Sequence, residues 1–260
     1  MIWANNSLGV KGIASPKQIA KCPICGEDVL AKCGKIKIWH WAHRNKTDCD
    51  SWYEPETQWH KQWKDEYPKE LQEFTMGCHR ADIRTKSRWI IELQNSTIST
   101  NGIIERELYY KRMIWLLNSG TLCKGLRLKE KNGIITFRWK NPPKSWWYAN
   151  KEIYVDLSGI VSNMKMLKNY YKLRNGKHLS TEYEYETYEY YTEYGEHIVE
   201  EKKFPTAYKV DTTELEIKKL NKKINLFSDK IFLIKMIYKK LPCGGWGELI
   251  LKNDFIKKFE

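Results

Sequence analysis

The sequence lacks the features that would place the chain in a membrane or outside the cell. It contains no run of about 18 apolar residues, so no membrane span is predicted. Residues 1–6 have neither the charged start nor the apolar core of a signal peptide. The seven cysteines form no regular disulfide framework, and no internal repeat is present. We therefore predict a cytoplasmic protein without a membrane partner.

Acidic side chains are in short supply. The chain has 32 Asp and Glu against 45 Lys and Arg, a formal charge of +13. The excess lies mainly in residues 1–150, where 25 basic residues face 15 acidic ones, against 20 and 17 in residues 151–260. A basic surface attracts phosphate backbones without reading sequence, so DNA is the predicted partner. A merely soluble basic protein would have the same balance, and composition leaves a homo-oligomer open.

The N-terminal cysteines have the spacing of a metal site. Cys22 and Cys25 form a Cys-x-x-Cys pair followed by glycine, which presents two thiolates to one zinc ion. We predict that His43 and Cys49 complete a structural Zn²⁺ site, with His40 as the alternative to His43. A redox role for the cysteine pair is the weaker alternative, because histidine and cysteine follow downstream.

A second candidate site lies in residues 80–94, where two short β-rich segments flank a polar turn. Strand alternation puts Glu92 and Gln94 on one face, and a hairpin would bring Asp82 beside Glu92. Converging carboxylates are natural ligands for Mg²⁺ or Mn²⁺. The alternative is a hairpin with two solvated acids.

Residues 53–66 have the spacing of a helix. Trp59 and Trp63 are one turn apart and would bury against a sheet. The same spacing aligns three ionisable residues on a neighbouring stripe: Glu56, His60 and Lys64. This stripe either overlooks the acidic pair or is a solvated ladder of charges.

Taken in order, these motifs resemble the CoiA-like competence nucleases of bacteria, which are similar to members of the PD-(D/E)XK nuclease superfamily. The resemblance covers roughly residues 1–120. Its specificity lies in the order of the motifs. The segments that carry it are residues 22–25, 40–43, 56–60, 80–83 and 91–96, followed by Arg106 and Tyr110 on the next helix.

The resemblance implies metal-dependent hydrolysis of DNA phosphodiester bonds. Asp82 and Glu92 are the implied ligands of Mg²⁺ or Mn²⁺, with the carbonyl of Leu93 as a third ligand. Glu56 is the implied acid of the first core helix and would hold a second metal ion or its waters. The residues implied to contact nucleic acid are Arg80, Arg106 and Tyr110.

Gln94 departs from the superfamily pattern, which usually has lysine there. An amide can orient a water but cannot supply positive charge to the transition state. We expect Lys64 or His60 to supply that function. If Lys64 does, its replacement by alanine lowers turnover with little change in metal affinity.

The resemblance also implies the fold, an α/β restriction-endonuclease-like core with a mixed sheet flanked by helices. We predict a zinc-ribbon-like module at residues 1–52, a PD-(D/E)XK-like core at 53–150 and a C-terminal extension of unknown role at 151–260. The missing lysine supports an alternative function, a non-catalytic DNA-binding recombination mediator on a degenerate nuclease core. The substrate could also be RNA. The biological setting could be natural transformation, phage biology or mobile-element biology.

The remaining segments give weaker signals. Residues 105–117 predict a helix running towards a strand, and residues 125–140 a hairpin that turns at an Asn-Gly pair. The aromatic residues 146–148 either stack on bases or pack on the domain. Residues 181–201 alternate tyrosine with acids, which predicts an exposed ribbon or an acidic flap over the basic cleft. Residues 215–238 predict a lysine-rich amphipathic helix.

Overall fold

The computed structural model describes residues 1–44, 49–174, 183–191, 197–205, 214–240 and 242–260. The chain divides into two compact units, one comprising Met1–Ile160 and Phe227–Glu260, the other Val161–Leu226. Within the described ranges, no helix has the length and apolar character needed to cross a membrane. The candidate sites of the sequence all lie in the first unit.

The N-terminal part of the first unit is a small antiparallel sheet. Its strands are β1 (Trp3–Asn5), β2 (Lys11–Ile13), β3 (Ile19–Lys21), β4 (Asp28–Lys32) and β5 (His40–His43), in the order β2-β1-β3-β4-β5. The buried residues Ala4, Ala20, Val29 and Trp41 form its core together with the thiol of Cys22. The sheet therefore folds around the same residues that carry the first candidate metal ligands.

The rest of the first unit is built on a nine-stranded mixed sheet. Its strands are β6 (Gln72–Met76), β7 (His79–Arg84), β8 (Ile90–Gln94), β9 (Met113–Asn118), β10 (Leu126–Lys131), β11 (Ile134–Trp139), β12 (Ile153–Asp156), β15 (Lys230–Tyr238) and β16 (Cys243–Leu251). The order across the sheet is β10-β11-β16-β15-β12-β9-β8-β7-β6. Only β9 pairs in parallel with its two neighbours, β8 and β12, among the described strand pairs.

Three helices of this unit flank the sheet, α1 (Gln58–Lys64), α2 (Thr100–Tyr110) and α5 (Lys252–Phe259). Trp59, Trp63 and Phe255 pack with Ile91 and Leu93 in one buried cluster, so α1 and α5 cover the same part of the sheet. The helix α2 connects β8 to β9 as a parallel crossover. The mixed sheet flanked by helices and the preceding Cys-rich cluster agree with the prediction, and the restriction-endonuclease-like fold stays a prediction.

The second unit contains most of the helices α3 (Ser158–Arg174) and α4 (Glu214–Phe227) and the antiparallel hairpin of β13 (Tyr183–Tyr191) and β14 (His197–Pro205). The hairpin agrees with the strand prediction for the tyrosine-rich segment, part of which lies outside the described residues. The predicted flap role stays a prediction.

The first helix is shorter than its periodicity predicts. The hydroxyl of Thr57 accepts the backbone N–H of His60, and the His60 side chain in turn accepts the backbone N–H of Thr57. This reciprocal cap starts the helix at Gln58 and leaves Glu56 in the preceding extended segment. The prediction of one continuous stripe on a helix from residue 53 was therefore wrong.

The two tryptophans of α1 are fixed by polar bonds as well as by packing. Trp59 Nε1 and Trp63 Nε1 both donate to Asp156 Oδ2, at 2.7 and 2.9 Å. Asp156 ends β12 and is buried. Because one turn separates the tryptophans, a single carboxylate can hold both rings, and this sets the helix's rotation over the sheet.

Two other sequence expectations needed correction. The lysine-rich helix ends at Phe227, and Lys230–Tyr238 continues as the strand β15. Asp229 between them has a positive φ of 53°, which reverses the chain after the helix. The helix predicted from residue 105 instead spans Thr100–Tyr110, with Ser99 as its N-cap. The hairpin of β10 and β11 agrees with expectation, and within the aromatic segment 146–148 Trp146 packs in the domain while Tyr148 is exposed.

The predicted boundaries between the three parts stay predictions. The nine-stranded sheet draws strands from both sides of residue 150, since β16 pairs with β11 and β12 pairs with β9. The N-terminal sheet is joined to it by Glu73, whose two carboxylate oxygens accept the backbone N–H groups of Ile2 and Trp3 at 2.7 and 3.1 Å.

Candidate functional site

Three thiols and one imidazole converge at the edge of the N-terminal sheet. The ligand atoms of Cys22, Cys25, His43 and Cys49 all lie within 4.8 Å of one another. Cys22 Sγ is 3.6 Å from Cys49 Sγ, and Cys25 Sγ is 3.3 Å from His43 Nε2. Three sulfurs and one nitrogen are the donor set of a structural zinc site, so the residues fit Zn²⁺.

The local backbone explains why two of these thiols face one point. Cys22 and Cys25 occupy the turn between β3 and β4, where Gly26 takes a positive φ of 74° and donates its N–H to the carbonyl of Cys22 at 3.0 Å. The backbone N–H of Ile24 points at Cys22 Sγ, 3.5 Å away. Such N–H groups stabilise a thiolate.

The structure distinguishes the two candidate histidines. His43 ends β5 with Nε2 towards the thiols, whereas His40 Nδ1 donates to the carbonyl of Ile38 at 2.9 Å. His43 is therefore the ligand that this geometry favours. Burial, and then the nearby thiols of Cys22 and Cys25, raise the pKa of Cys49 to about 12, so its thiolate form needs a bound cation.

The second candidate site lies on the hairpin of β7 and β8. The backbone N–H of Asp82 donates to Glu92 Oε1 at 3.3 Å, and the backbone N–H of Leu93 donates to Asp82 Oδ2 at 3.0 Å. Each carboxylate is thus oriented by the opposite strand. The prediction that the hairpin brings these two acids side by side is confirmed, while their roles stay predictions.

Lys64 lies at the centre of the acidic groups. Its Nζ is 2.7 Å from Glu56 Oε1, 3.1 Å from Glu73 Oε1 and 3.0 Å from Asp82 Oδ1, and its side chain is fully buried. Burial would lower the pKa of Lys64, but the three carboxylates raise it well above its ordinary value. The ammonium therefore stays charged, and the alternative of a solvated ladder is wrong.

Arg106 supplies a second buried cation on the other side of Glu92. Its Nη1 is 3.3 Å from Glu92 Oε2 and donates to Gln94 Oε1 at 3.4 Å, while its Nη2 donates to the carbonyl of Trp52 at 2.8 Å. The amide of Gln94 donates to Glu54 and to the carbonyl of Ser96. Gln94 is therefore fully engaged in structural hydrogen bonds.

His60 is also held in one orientation. Its Nε2 contacts the carbonyl of Leu93 at 3.2 Å, and because a carbonyl only accepts, this nitrogen carries the proton. Its Nδ1 then accepts from the backbone and hydroxyl of Thr57, at 3.2 and 2.9 Å. Both ring nitrogens of His60 are engaged in hydrogen bonds, so His60 holds Thr57 and the Leu93 carbonyl in place. Of the two candidates for the positive charge, Lys64 is the one in direct contact with Asp82.

The electrostatics of the two hairpin acids differ. Burial, and then repulsion from Asp82, raise the pKa of Glu92 to about 8. Burial also acts on Asp82, but Lys64 and His60 outweigh it and lower its pKa. Burial raises the pKa of Glu56 and of Glu54. At neutral pH the site therefore carries a proton that a bound cation would displace.

These residues line a cavity of about 30 Å³, which suits an ion or a water but not a nucleobase. Three buried polar atoms of its lining have no hydrogen-bond partner among the described residues: Glu56 Oε2, Arg106 Nε and Tyr110 OH. Buried polar atoms are nearly always satisfied, so these three atoms are available to a water or another small polar ligand. The oxygen donors fit Mg²⁺ or Mn²⁺ better than zinc. The lining residues are Asp50, Trp52, Glu54, Glu56, His60, Arg80, Asp82, Glu92, Leu93, Arg106 and Tyr110.

As they stand, the acids of this cavity are compensated by protein cations. Across the described parts of the chain, the Cys22–Cys25–His43–Cys49 group is the only set of three or more such ligands whose donor atoms converge within 4.8 Å. Lys64 and Arg106 are each paired to one of the two hairpin acids. A divalent ion would therefore compete with these two side chains.

One segment connects the thiol cluster to the cavity. Asp50 follows Cys49 and accepts from His79 Nδ1 at 2.9 Å and from the backbone N–H of Arg80 at 3.0 Å, on the strand that carries Asp82. The ring of Trp52 stacks on His79 with centroids 3.4 Å apart and planes 3° from parallel. Through Asp50, the segment that carries the ligand Cys49 thus helps to position β7.

The sequence analysis missed four residues of this region: Asp50, Trp52, Glu54 and Glu73. Glu54 and Glu56 flank one proline, a pairing that could have pointed to the cavity. Glu73 left no local signal, because its partners Ile2 and Trp3 are about seventy positions away. Of the residues expected at the site, Arg80, Arg106 and Tyr110 all line the cavity.

Comparisons with known proteins support only the N-terminal part of the resemblance. No curated protein and no solved structure matches the chain. Residues 17–51, which contain Cys22, Cys25, His43 and Cys49, match the family model described as competence protein CoiA, N-terminal domain. This segment of the chain is therefore similar to the N-terminal domain of the CoiA competence proteins.

Proposed function

We propose that the protein is a metal-dependent DNA nuclease whose active site is the acidic cavity. The observation that carries this proposal is that Asp82, Glu92 and Glu56 line one cavity that retains unsatisfied buried polar atoms. Keeping several acids buried is costly, and such perturbed groups cluster at functional sites.

The arrangement also supports a PD-(D/E)XK-like core. The helix α1 precedes the antiparallel strands β6, β7 and β8, and α2 then leads to the parallel strand β9. Asp82 lies on β7 and Glu92 on β8, the two middle strands of these four. The similarity of residues 17–51 to a competence-protein domain favours DNA as the polymer and DNA processing as the setting.

Asp82, Glu92 and the Leu93 carbonyl would hold Mg²⁺ or Mn²⁺, with Glu56 holding a second ion or its waters. The bound ion would acidify the attacking water and stabilise charge on the phosphate. Glu56 Oε2 has no other partner among the described residues and would orient that water. Lys64 and Arg106 would supply the fixed positive charge that Gln94 cannot. Zn²⁺ would be structural and held by the cysteine cluster.

A second candidate, a non-catalytic DNA-binding mediator on a degenerate nuclease core, has one specific observation in its favour. All four carboxylate oxygens of Asp82 and Glu92 already have partners in Lys64, Arg106 and the backbone. A site compensated in this way could persist without metal. It would bind DNA and leave it intact.

Cleavage assays distinguish the two candidates. Linear and circular DNA, single- and double-stranded, are incubated with Mg²⁺, with Mn²⁺ and with EDTA. Wild type is compared with Asp82→Asn and Glu92→Gln, and Glu105→Gln, an exposed acid of α2, serves as the matched control. The nuclease proposal requires metal-dependent cutting that both site variants lose and the control keeps. DNA binding without cutting under every condition supports the mediator instead.

A further inference from the structure

The loop between β4 and β5, residues 33–39, exposes apolar side chains at the end of the N-terminal sheet. Ile36 is 99% exposed and Trp39 50% exposed, whereas Val29 and Trp41 on the adjoining strands are buried. The strands pair up to Lys32 and His40, so the loop leaves a fixed base. Large exposed apolar residues that lie close together often mark a surface that contacts a partner.

The charge of the loop identifies the kind of partner. Lys35 and Lys37 are exposed on either side of Ile36, and neither forms an ion pair with any residue of the described chain. Residues 1–44 contain seven Lys and Arg against two acids. The partner is therefore anionic, and it must also offer apolar faces to Ile36 and Trp39.

We propose that this loop, defined as residues 33–39, binds single-stranded nucleic acid. Lysines would contact phosphates while Trp39 stacks on a base and Ile36 packs beside it, the combination that single-strand-binding surfaces use. A duplex hides its base faces in the stack, so it would offer the lysines their phosphates but leave the apolar pair unused. The site lies outside the acidic cavity and goes beyond the proposed function, since it holds whether or not the strand is cut.

The loop's base is suited to present these side chains. His40 Nδ1 donates to the Ile38 carbonyl at 2.9 Å, and His43 on the same strand belongs to the thiol cluster. A metal at that cluster would rigidify β5, which directly follows Trp39. The loop would then lose less conformational freedom when it binds nucleic acid.

The test is fluorescence anisotropy of the full-length, zinc-loaded protein with a labelled oligothymidylate and with a labelled duplex of equal length. Mg²⁺ and Mn²⁺ are left out so that nothing is cut. We expect Trp39→Ala to weaken single-strand binding about tenfold, with Trp39→Phe restoring most of it. Replacing both Lys35 and Lys37 by alanine reduces the slope of log affinity against log salt by about 1.4.

Control variants remove an exposed apolar side chain and an equal number of charges elsewhere in the chain. Ile134→Ala replaces an exposed residue of β11, and the double variant Lys124→Ala/Lys129→Ala removes two exposed charges. The zinc content of each loop variant verifies that the module is intact. Loop variants that bind like their controls overturn the proposal. It is also overturned if Trp39→Ala weakens duplex binding as much as single-strand binding. Wild type that binds neither polymer also overturns it, whereas the cleavage assay judges the nuclease separately.

Discussion

Lys64 Nζ lies 3.0 Å from Asp82 Oδ1, so the buried cation and a proposed metal ligand are in direct contact. Removing the cation takes the nearby counter-charge away from Glu56 and Asp82 and leaves Glu73 with Arg80, 3.7 Å away. Lys64→Met is therefore expected to destabilise the fold by about 3–5 kcal/mol, measured by urea denaturation in EDTA. Added Mg²⁺ or Mn²⁺ should recover more stability in this variant than in wild type, because a divalent ion can replace the ammonium.

Lys61→Met is the matched control on the same helix. Its ion pair with Asp65 is solvent-exposed, so a change within about 0.5 kcal/mol is expected. A Lys64→Met variant as stable as this control would contradict the reasoning. Because Lys64 contacts Asp82, a proposed metal ligand, replacing Lys64 should change metal affinity as well as turnover. The sequence alone predicted little change in metal affinity.

The pKa of Glu92, raised to about 8 first by burial and then by Asp82, gives a pH dependence of stability. Above the ordinary glutamate pKa of about 4.3 the unfolded chain has released this proton, while the folded protein keeps it up to about pH 8. Stability should therefore fall as the pH rises through this window. Thermal denaturation in EDTA across the window checks it.

Glu92→Gln isolates the effect, since it keeps the shape of the side chain and removes the ionisation. We expect this variant to lose the part of the slope that Glu92 contributes between about pH 5 and pH 8, while the part contributed by Glu54 and Glu56, whose pKa values burial also raises, remains. The lowered pKa values of Asp82 and Glu73 act at more acidic pH, below this window. Equal slopes in the variant and wild type would show that Glu92 does not hold the proton.

The hairpin and the thiol ligands could be predicted because their signals are local. Strand alternation and a polar turn are enough to bring Asp82 beside Glu92, and the Cys-x-x-Cys turn needs only Gly26 beyond its thiols. The start of α1 was misplaced because periodicity does not register the Thr57–His60 cap. Local signals thus locate motifs better than they locate helix ends.

Long-range pairing explains what the sequence could not reveal. Glu73 joins the N-terminal sheet to the acidic cluster through partners far away in the chain. The strand β15 pairs with β12 across about eighty positions, and its apolar run follows a helix without a clear boundary in the sequence. Such pairings depend on the assembled sheet and leave no pattern within a window of neighbouring residues.

The zinc site can be tested by removing one thiol. Cys25→Ser deletes an exposed ligand, so we expect less than one equivalent of zinc per chain and a thermal midpoint lower by roughly 5 °C or more. Cys33→Ser is the control, because Cys33 packs on the same small core but lies outside the ligand group. Elemental analysis and melting curves give the readout. Full zinc content in Cys25→Ser would exclude the assigned ligand set.

Gln94→Lys tests whether the superfamily's usual lysine could function at this position. The buried amide oxygen of Gln94 accepts from Arg106, so an ammonium there would lose this bond and approach a guanidinium. We expect destabilisation of about 1–3 kcal/mol and no gain in metal-dependent cleavage. Gln94→Met, which loses the hydrogen bonds without adding charge, separates the two causes. A faster Gln94→Lys enzyme would contradict the argument, because it would mean that neither Lys64 nor Arg106 supplies the charge the reaction needs.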